Sequence, residues 1–239
     1  MRRIWKNVEV EDKAEERLSI FERKFGEITK PPILIDDIIE DAGLKILWDV
    51  IEERRGEIIL GGLRLKERLI VLNESHFNLF KGKPGLLRST KGHELGHWDL
   101  YVDKAKLDHP LLPGFEDESI FQQRNAKNGL VEVISNAWLD DDVYKVYQSY
   151  TKRKDHPYEA SAVERYASAI SMPKRIILAC IKGIDLTAWR NLYELAEDFD
   201  VTISALCVRL QRLGLIFITD DKKIYKSKER YQGQGIFKF

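Results

Sequence analysis

The motif His93-Glu94-Leu95-Gly96-His97 constrains this chain more than any other stretch of its sequence. Residues four positions apart lie on one face of an α-helix, so His93 and His97 can bind the same metal ion. Glu94 would then lie beside the open coordination position, where a carboxylate can take a proton from water. The motif therefore predicts a helix that binds Zn²⁺ through His93 and His97 and uses Glu94 as a general base. The alternative is a pair of surface histidines on an ordinary helix.

A catalytic zinc ion of this kind needs a third protein ligand, and the main candidates are two carboxylates. Glu159 and Glu164 lie in a helical pattern over residues 158–171 that is rich in alanine. Small residues would let this helix approach the motif helix, where Gly96 also leaves room for a neighbour. The spacing does not choose between Glu159 and Glu164. Three histidines in loop-like sequence are further alternatives: His76, His109 and His156.

The composition is that of a globular chain and excludes several functional classes. The 239 residues are 44% hydrophobic, and no apolar run approaches the roughly 20 residues that span a bilayer. Thirty-nine basic residues balance 39 acidic ones, so no overall charge draws the protein to nucleic acid or to an anionic membrane. The basic residues 1–3 lead into charged sequence instead of an apolar segment, which argues against a secretory signal. Cys180 and Cys207 lack the spacing of a metal or redox motif, so we expect reduced thiols and a cytoplasmic protein.

Hydrophobic patterns along the chain predict an α+β fold with a small antiparallel sheet and a mainly helical remainder. A first helix over residues 10–24 would bury Val10, Ala14, Leu18 and either Phe21 or Phe25. A second helix over residues 33–42 ends at a glycine, and three strand-like runs follow at 44–50, 57–65 and 69–72. Turn residues separate these runs, so we expect the strands to pair mainly as antiparallel neighbours.

Residues 186–213 contain two helical patterns separated by Asp200-Val201-Thr202, the arrangement of a helix-turn-helix, with Arg209 and Arg212 on the second helix. A hairpin over residues 215–226 would form a wing beside it. Direct DNA binding is one interpretation, because five basic side chains cluster there: Lys222, Lys223, Lys226, Lys228 and Arg230. Acidic side chains on the first helix would repel phosphate, namely Glu194, Glu197 and Asp198. We therefore favour a supporting or substrate-docking role.

Four segments of this chain occur in an order that is specific to one group of proteins. Pro31-Pro32 precedes a helix that ends at Gly43, and Gly61-Gly62-Leu63 precedes the strand-like run at 69–73. Arg88 lies ahead of the histidine motif, and residues 164–173 are similar to the signature Phe-Ala-x-x-Leu-Leu-Met-Pro. Over residues 30–217, these features resemble the ImmA/IrrE family of bacterial and phage metallopeptidases.

The resemblance implies a zincin-like peptidase domain over residues 1–182, with its core at 30–173 and an insertion at 115–156 that shapes the substrate groove or covers the metal. A helix-turn-helix-like module with a wing would follow over residues 183–239. In this family the third zinc ligand is a glutamate six residues before the aromatic that corresponds to Tyr166, a position that is Ala160 here. Either Glu159 serves after a shift of one residue, or Glu164 reaches back along the helix. The other carboxylate would then be a partner of a histidine.

The resemblance also implies an activity, which is zinc-dependent hydrolysis of a peptide bond in a specific protein. The implied substrate is a helix-turn-helix transcriptional repressor, and its cleavage would relieve repression of a mobile element, a prophage or a stress regulon. Two alternatives stay open. One is a DNA-binding transcription regulator with a structural zinc site, and the other is a toxin–antitoxin component that acts by binding.

Overall fold

The computed structural model describes residues 4–53, 58–108, 130–133, 157–228 and 231–232, without the side chains of 106, 108, 130–133 and 157–160. These residues form a mixed α+β chain, mostly helical with a small sheet, which confirms the predicted fold class at this level. The helices are α1 (Asn7–Phe25), α2 (Ile35–Asp41), α3 (Phe77–Gly82), α4 (Pro84–Tyr101), α5 (Lys104–Asp108), α6 (Pro157–Ser171), α7 (Lys174–Cys180), α8 (Trp189–Asp198) and α9 (Ile203–Arg212). The strands are β1 (Lys45–Asp49), β2 (Gly61–Arg64), β3 (Leu69–Asn73), β4 (Leu130–Val133), β5 (Phe217–Ile218) and β6 (Ile224–Tyr225).

The larger sheet has four strands in the order β1-β3-β2-β4. Strand β2 pairs antiparallel with β3, as predicted, and also with β4, which the sequence analysis did not anticipate, whereas β1 pairs parallel with β3. The parallel pair was missed because an alternating pattern identifies a strand without giving its direction. Strand β4 comes from the predicted insertion at 115–156, and the rest of that segment lies outside the described residues.

Helix α4 carries the histidine motif and is largely buried in its C-terminal half. It begins with Pro84, which is well suited to the first turn of a helix because it has no backbone N–H to satisfy there. Every residue from Gly92 to Trp98 is buried. Helix α6 packs against this stretch, so the motif lies at a helix–helix interface inside the core.

Two glycines bring α4 and α6 close together. A Cβ atom at Gly92 would lie 3.4 Å from the Cα of Ala167, and one at Gly96 would lie 3.0 Å from the Cγ1 of Val163. The same atom at Gly96 would lie 3.2 Å from the ring of Tyr166. The prediction that a neighbour packs against Gly96 is therefore confirmed, and that neighbour is α6.

Helix α1 covers α6 and α4 from one side. Its buried residues are those predicted from the helical spacing: Val10, Ala14, Leu18 and Phe21. The sequence did not decide between Phe21 and Phe25. Phe21 is the buried one, since Phe25 is 65% exposed at the end of the helix. Charged residues occupy the other face, so the helix is amphipathic, as expected for a helix that packs on a core.

Helices α8 and α9 follow at the C-terminal side and pack on each other. Thr202 begins α9 as its N-cap and accepts a hydrogen bond from the backbone of Ala205 at 3.1 Å. The N-terminus of α4 abuts this point, because a Cβ atom at Gly85 would lie 2.8 Å from the backbone nitrogen of Thr202. Residues 215–226, where the sequence predicts a hairpin, contain the antiparallel pair β5 and β6. Within the residues that the structure describes, no helix is long and apolar enough to cross a membrane.

Candidate metal centre

His93 and His97 meet on one face of α4, one helical turn apart. Their Nε2 atoms are 3.2 Å from each other, and both residues are only 2% exposed. Two nitrogen ligands of one tetrahedral zinc ion, each about 2.05 Å from the metal, would lie about 3.3 Å apart. The two imidazoles therefore converge at the separation that a shared zinc ion requires, and the surface-histidine alternative does not describe this pair.

The surroundings of His93 favour its neutral form. Burial, and to a smaller extent the charge of a protonated His97, lowers the pKa of His93 well below its usual range. A neutral imidazole is the form that binds a metal ion, because the coordinating nitrogen must carry a lone pair. Protons therefore compete weakly with a metal ion for this residue.

Glu94 is fully buried beside the two histidines. Among the residues that the structure describes, neither oxygen of its carboxylate has a hydrogen-bond donor. Burial raises the pKa of Glu94 well above its usual range, because the ionised form is poorly solvated there. Unpaired buried polar atoms are uncommon and call for a compensating water or ion. Two imidazole nitrogens close to such a carboxyl group fit Zn²⁺ better than a hard cation that prefers oxygen ligands.

Strand β2 lies against Glu94 through Gly61. A Cβ atom at Gly61 would be 3.0 Å from the Cγ2 of Thr90 and 3.0 Å from the carbonyl oxygen of Val71. It would also lie 3.7 Å from Oε1 of Glu94. Only a glycine lets the strand come this close, so the Gly61-Gly62 pair in the sequence marks where the sheet meets the motif helix.

The two candidates for the third ligand have different surroundings. The carboxylate of Glu164 lies 3.9 Å from the guanidinium of Arg212 on α9, and its side chain is 28% exposed. Residue 159 belongs to α6, one turn before Val163, but its side chain lies outside those described. Among the described side chains, no group of three or more His, Cys, Asp or Glu is placed to hold a metal ion. Of the predicted ligands, the structure thus brings His93 and His97 together, with Glu94 between them on the same helix.

Of the three alternative histidines, the structure describes only His76, which is paired with Glu53. Nε2 of His76 lies 2.6 Å from Oε1 of Glu53, in a pair whose two side chains are about one-fifth exposed. His109 and His156 lie outside the described residues.

Sequence reasoning missed a buried network two residues beyond the motif, centred on Asp99. Its carboxylate accepts hydrogen bonds from Arg17 Nε at 2.8 Å and Arg17 Nη2 at 2.6 Å. It also accepts bonds from the hydroxyl of Tyr166 at 2.5 Å and from Lys104 Nζ at 2.7 Å. The only sequence signal was the position of Asp99 on the motif helix, since Arg17 is 82 positions away.

The charges within this network stabilise the ionised form of Asp99. Burial opposes ionisation, but hydrogen bonds from Arg17 and the charges of Arg17 and Lys104 outweigh it and hold the pKa of Asp99 below its usual range. Burial and the adjacent Asp99 raise the pKa of Tyr166 well above its usual range, so its hydroxyl remains a donor. The network is therefore a carboxylate held by cationic and hydroxyl donors.

Comparison of the sequence with protein-family models and with curated protein sequences found no match.

Proposed function

We propose that this protein is a zinc-dependent endopeptidase of the ImmA/IrrE type that cleaves a specific protein, with a helix-turn-helix transcriptional repressor as its substrate. The observation that carries the proposal is the separation of 3.2 Å between the Nε2 atoms of His93 and His97, together with the buried carboxyl group of Glu94 on the same helical turn, which has no hydrogen-bond donor among the described residues. Histidine pairs of this kind are typical of catalytic zinc sites in which a neighbouring glutamate acts as the base. Cleavage of the repressor relieves transcriptional repression.

The ligand set consists of His93, His97 and a carboxylate from α6, for which we favour Glu159. Val163 and Tyr166 are the residues of α6 that contact Gly96. Position 159 lies four residues before Val163 and seven before Tyr166, so the helical repeat puts it on the same face of α6. Glu164 is instead close to Arg212, which gives it a partner on another helix.

Each residue of the site has a defined part in amide hydrolysis. A zinc ion held by these ligands supplies Lewis acidity and makes water a stronger nucleophile near neutral pH. Glu94 accepts a proton from the attacking water and returns it to the leaving amine. His93 and His97 hold their positions because α4 is buried along the whole motif.

The contacts of α9 support a role of the C-terminal helices in supporting the core rather than in reading DNA. Arg209 is fully buried, where it donates hydrogen bonds to Glu11 and to the carbonyl oxygen of Met172. Arg212 lies near Glu164. Base recognition needs arginines that can enter a groove, and the two arginines of this helix face the protein.

The proposal is tested by replacing Glu94 with Gln. We expect the Glu94→Gln variant to bind zinc like the unmodified protein but to cleave its substrate about 10²–10⁴-fold more slowly, because the general base is lost. Zinc content would be measured by elemental analysis. Cleavage would be measured by mass spectrometry on helix-turn-helix repressors encoded beside the gene.

The matched control is Glu67→Gln, which changes an exposed glutamate in the turn between β2 and β3. It should leave both zinc binding and cleavage unchanged. Cleavage by Glu94→Gln at the rate of the unmodified protein would contradict the proposal, and so would an unmodified protein without affinity for zinc. Zinc-dependent band shifts of promoter DNA without proteolysis would instead support a transcription regulator.

A further inference from the structure

Asp99 connects its own helix, α4, to three other helices next to the candidate metal centre. It is not one of the proposed metal ligands. It lies on α4 two residues after His97, and its side chain is only 6% exposed. Its donors are Arg17 on α1, Tyr166 on α6 and Lys104 on α5. A buried carboxylate with four donors of suitable length allows little freedom to the helices that supply them.

Tyr166 links this network to the interface between α4 and α6. Its ring lies against Gly96, and its hydroxyl donates to Asp99 at 2.5 Å. The contacts at Gly92 and Gly96 set the distance between the two helices, because small residues limit how closely the helices approach. The hydrogen bond of Tyr166 adds a constraint along the helix axis, since a sliding movement of α6 would break it.

The position of α6 along this axis matters for the zinc site of the proposed function, on which this inference rests. The α6 carboxylate at residue 159 is seven residues before Tyr166, which corresponds to about 10 Å along the helix. If α6 slid along its axis, this carboxylate would move relative to His93 and His97 by the distance of the slide. Metal–ligand distances tolerate changes of only about 0.2 Å.

We propose that Arg17, Asp99 and Tyr166 are positioning residues that hold α6 in register with α4 and thereby set the geometry of the zinc site. Arg17 fixes the carboxylate of Asp99 with two hydrogen bonds, and Asp99 in turn orients the hydroxyl of Tyr166. None of the three contacts the metal. Their effect is on the affinity for zinc and on the shape of its coordination.

The test uses Tyr166→Phe in the full chain, which removes one hydroxyl and leaves the ring against Gly96. We expect the dissociation constant for Zn²⁺ to rise roughly tenfold, as for other residues that support metal ligands from outside the coordination sphere. Competition with a chromophoric chelator measures this constant. The absorption bands of the Co²⁺-loaded protein should shift as well, because they report the geometry of the ligands.

A second variant, Asp99→Asn, tests whether the residues act together. It retains the shape of the side chain but loses its charge. We expect it to weaken zinc binding at least as much as Tyr166→Phe. The zinc affinity of the double variant should then fall by less than the product of the two single effects, because both changes act on the same Tyr166–Asp99 contact.

Arg175→Gln is the control, because Arg175 joins α7 to α1 in a similar network of hydrogen bonds with Glu15 and Glu22. This network does not involve α4. We expect Arg175→Gln to lower the unfolding midpoint in urea and to leave the zinc dissociation constant and the cobalt spectrum unchanged.

Two results would overturn the inference while leaving the proposed function intact. One is a zinc dissociation constant and cobalt spectrum of Tyr166→Phe and Asp99→Asn equal to those of the unmodified protein. The other is an equal loss of zinc affinity in Arg175→Gln, which would mean that the Asp99 network only stabilises the fold in general. If the unmodified protein bound no zinc, the inference and the proposed function would both fall.

Discussion

The local sequence determines the positions of some residues of the candidate site but not of others. His93, Glu94 and His97 come together because one helical turn separates them, and the structure needs only to bury that turn. Glu159 and Glu164 differ by five positions, which puts them on different sides of α6. The role of each carboxylate therefore depends on which neighbouring helix packs against its side of α6.

The two carboxylates of α6 provide a prediction at this scale. We expect Glu159→Gln to raise the zinc dissociation constant by more than about 100-fold, because losing a ligand costs more than losing a supporting partner. Glu164→Gln should keep the affinity of the unmodified protein, because Glu164 pairs with Arg212. Chelator competition measures both constants. The opposite ranking of the two variants would assign the ligand to Glu164.

At the scale of elements, the contact between α4 and α6 organises the candidate site. Two glycines on α4 bring the helices together, so that the histidine motif packs closely against Val163, Tyr166 and Ala167 of α6. The sheet approaches from another side through Gly61 of β2. These three elements leave the motif residues at most 2% exposed.

Substituting the two glycines of α4 that face α6 should have opposite effects on stability. Alanine in a helix is favoured over glycine by about 1 kcal/mol, so Gly92→Ala, with its new Cβ 3.4 Å from Ala167, should stabilise the protein slightly. Gly96→Ala would put the Cβ 3.0 Å from Val163, and overpacking should give a net loss of about 1 kcal/mol. Urea denaturation measures both changes. Equal gains in stability from both variants would mean that α6 can shift away from Gly96 at little cost.

At the scale of the whole molecule, one buried arginine connects distant parts of the chain. Arg209 on α9 donates to Glu11 on α1, 198 positions earlier, and to Met172 at the end of α6. Its side chain is 1% exposed, whereas that of Glu11 is 27% exposed. The C-terminal helices are therefore tied to the same helices that surround the candidate metal centre.

Replacing Arg209 should destabilise the whole molecule. We expect Arg209→Met to lower the free energy of unfolding by about 2 kcal/mol, because several charge-assisted hydrogen bonds are lost while the exposed part of Glu11 regains water. Arg190→Met is the control, since Arg190 forms a surface pair with Glu194 whose loss should cost less than about 1 kcal/mol. Urea unfolding followed by tryptophan fluorescence measures both. Equal effects of the two variants would show that the buried contact of Arg209 adds little.

The sequence by itself determined the features that depend on residues near one another in the chain. The spacing of His93, Glu94 and His97, the buried face of α1 and the α+β composition all follow from helical or strand periodicity, which acts over a few residues. Only the tertiary structure decided which distant residues meet. The parallel pairing of β1 with β3, the Asp99 network and the Arg209–Glu11 pair join residues that local spacing cannot relate, because their contacts arise from the packing of whole helices and strands.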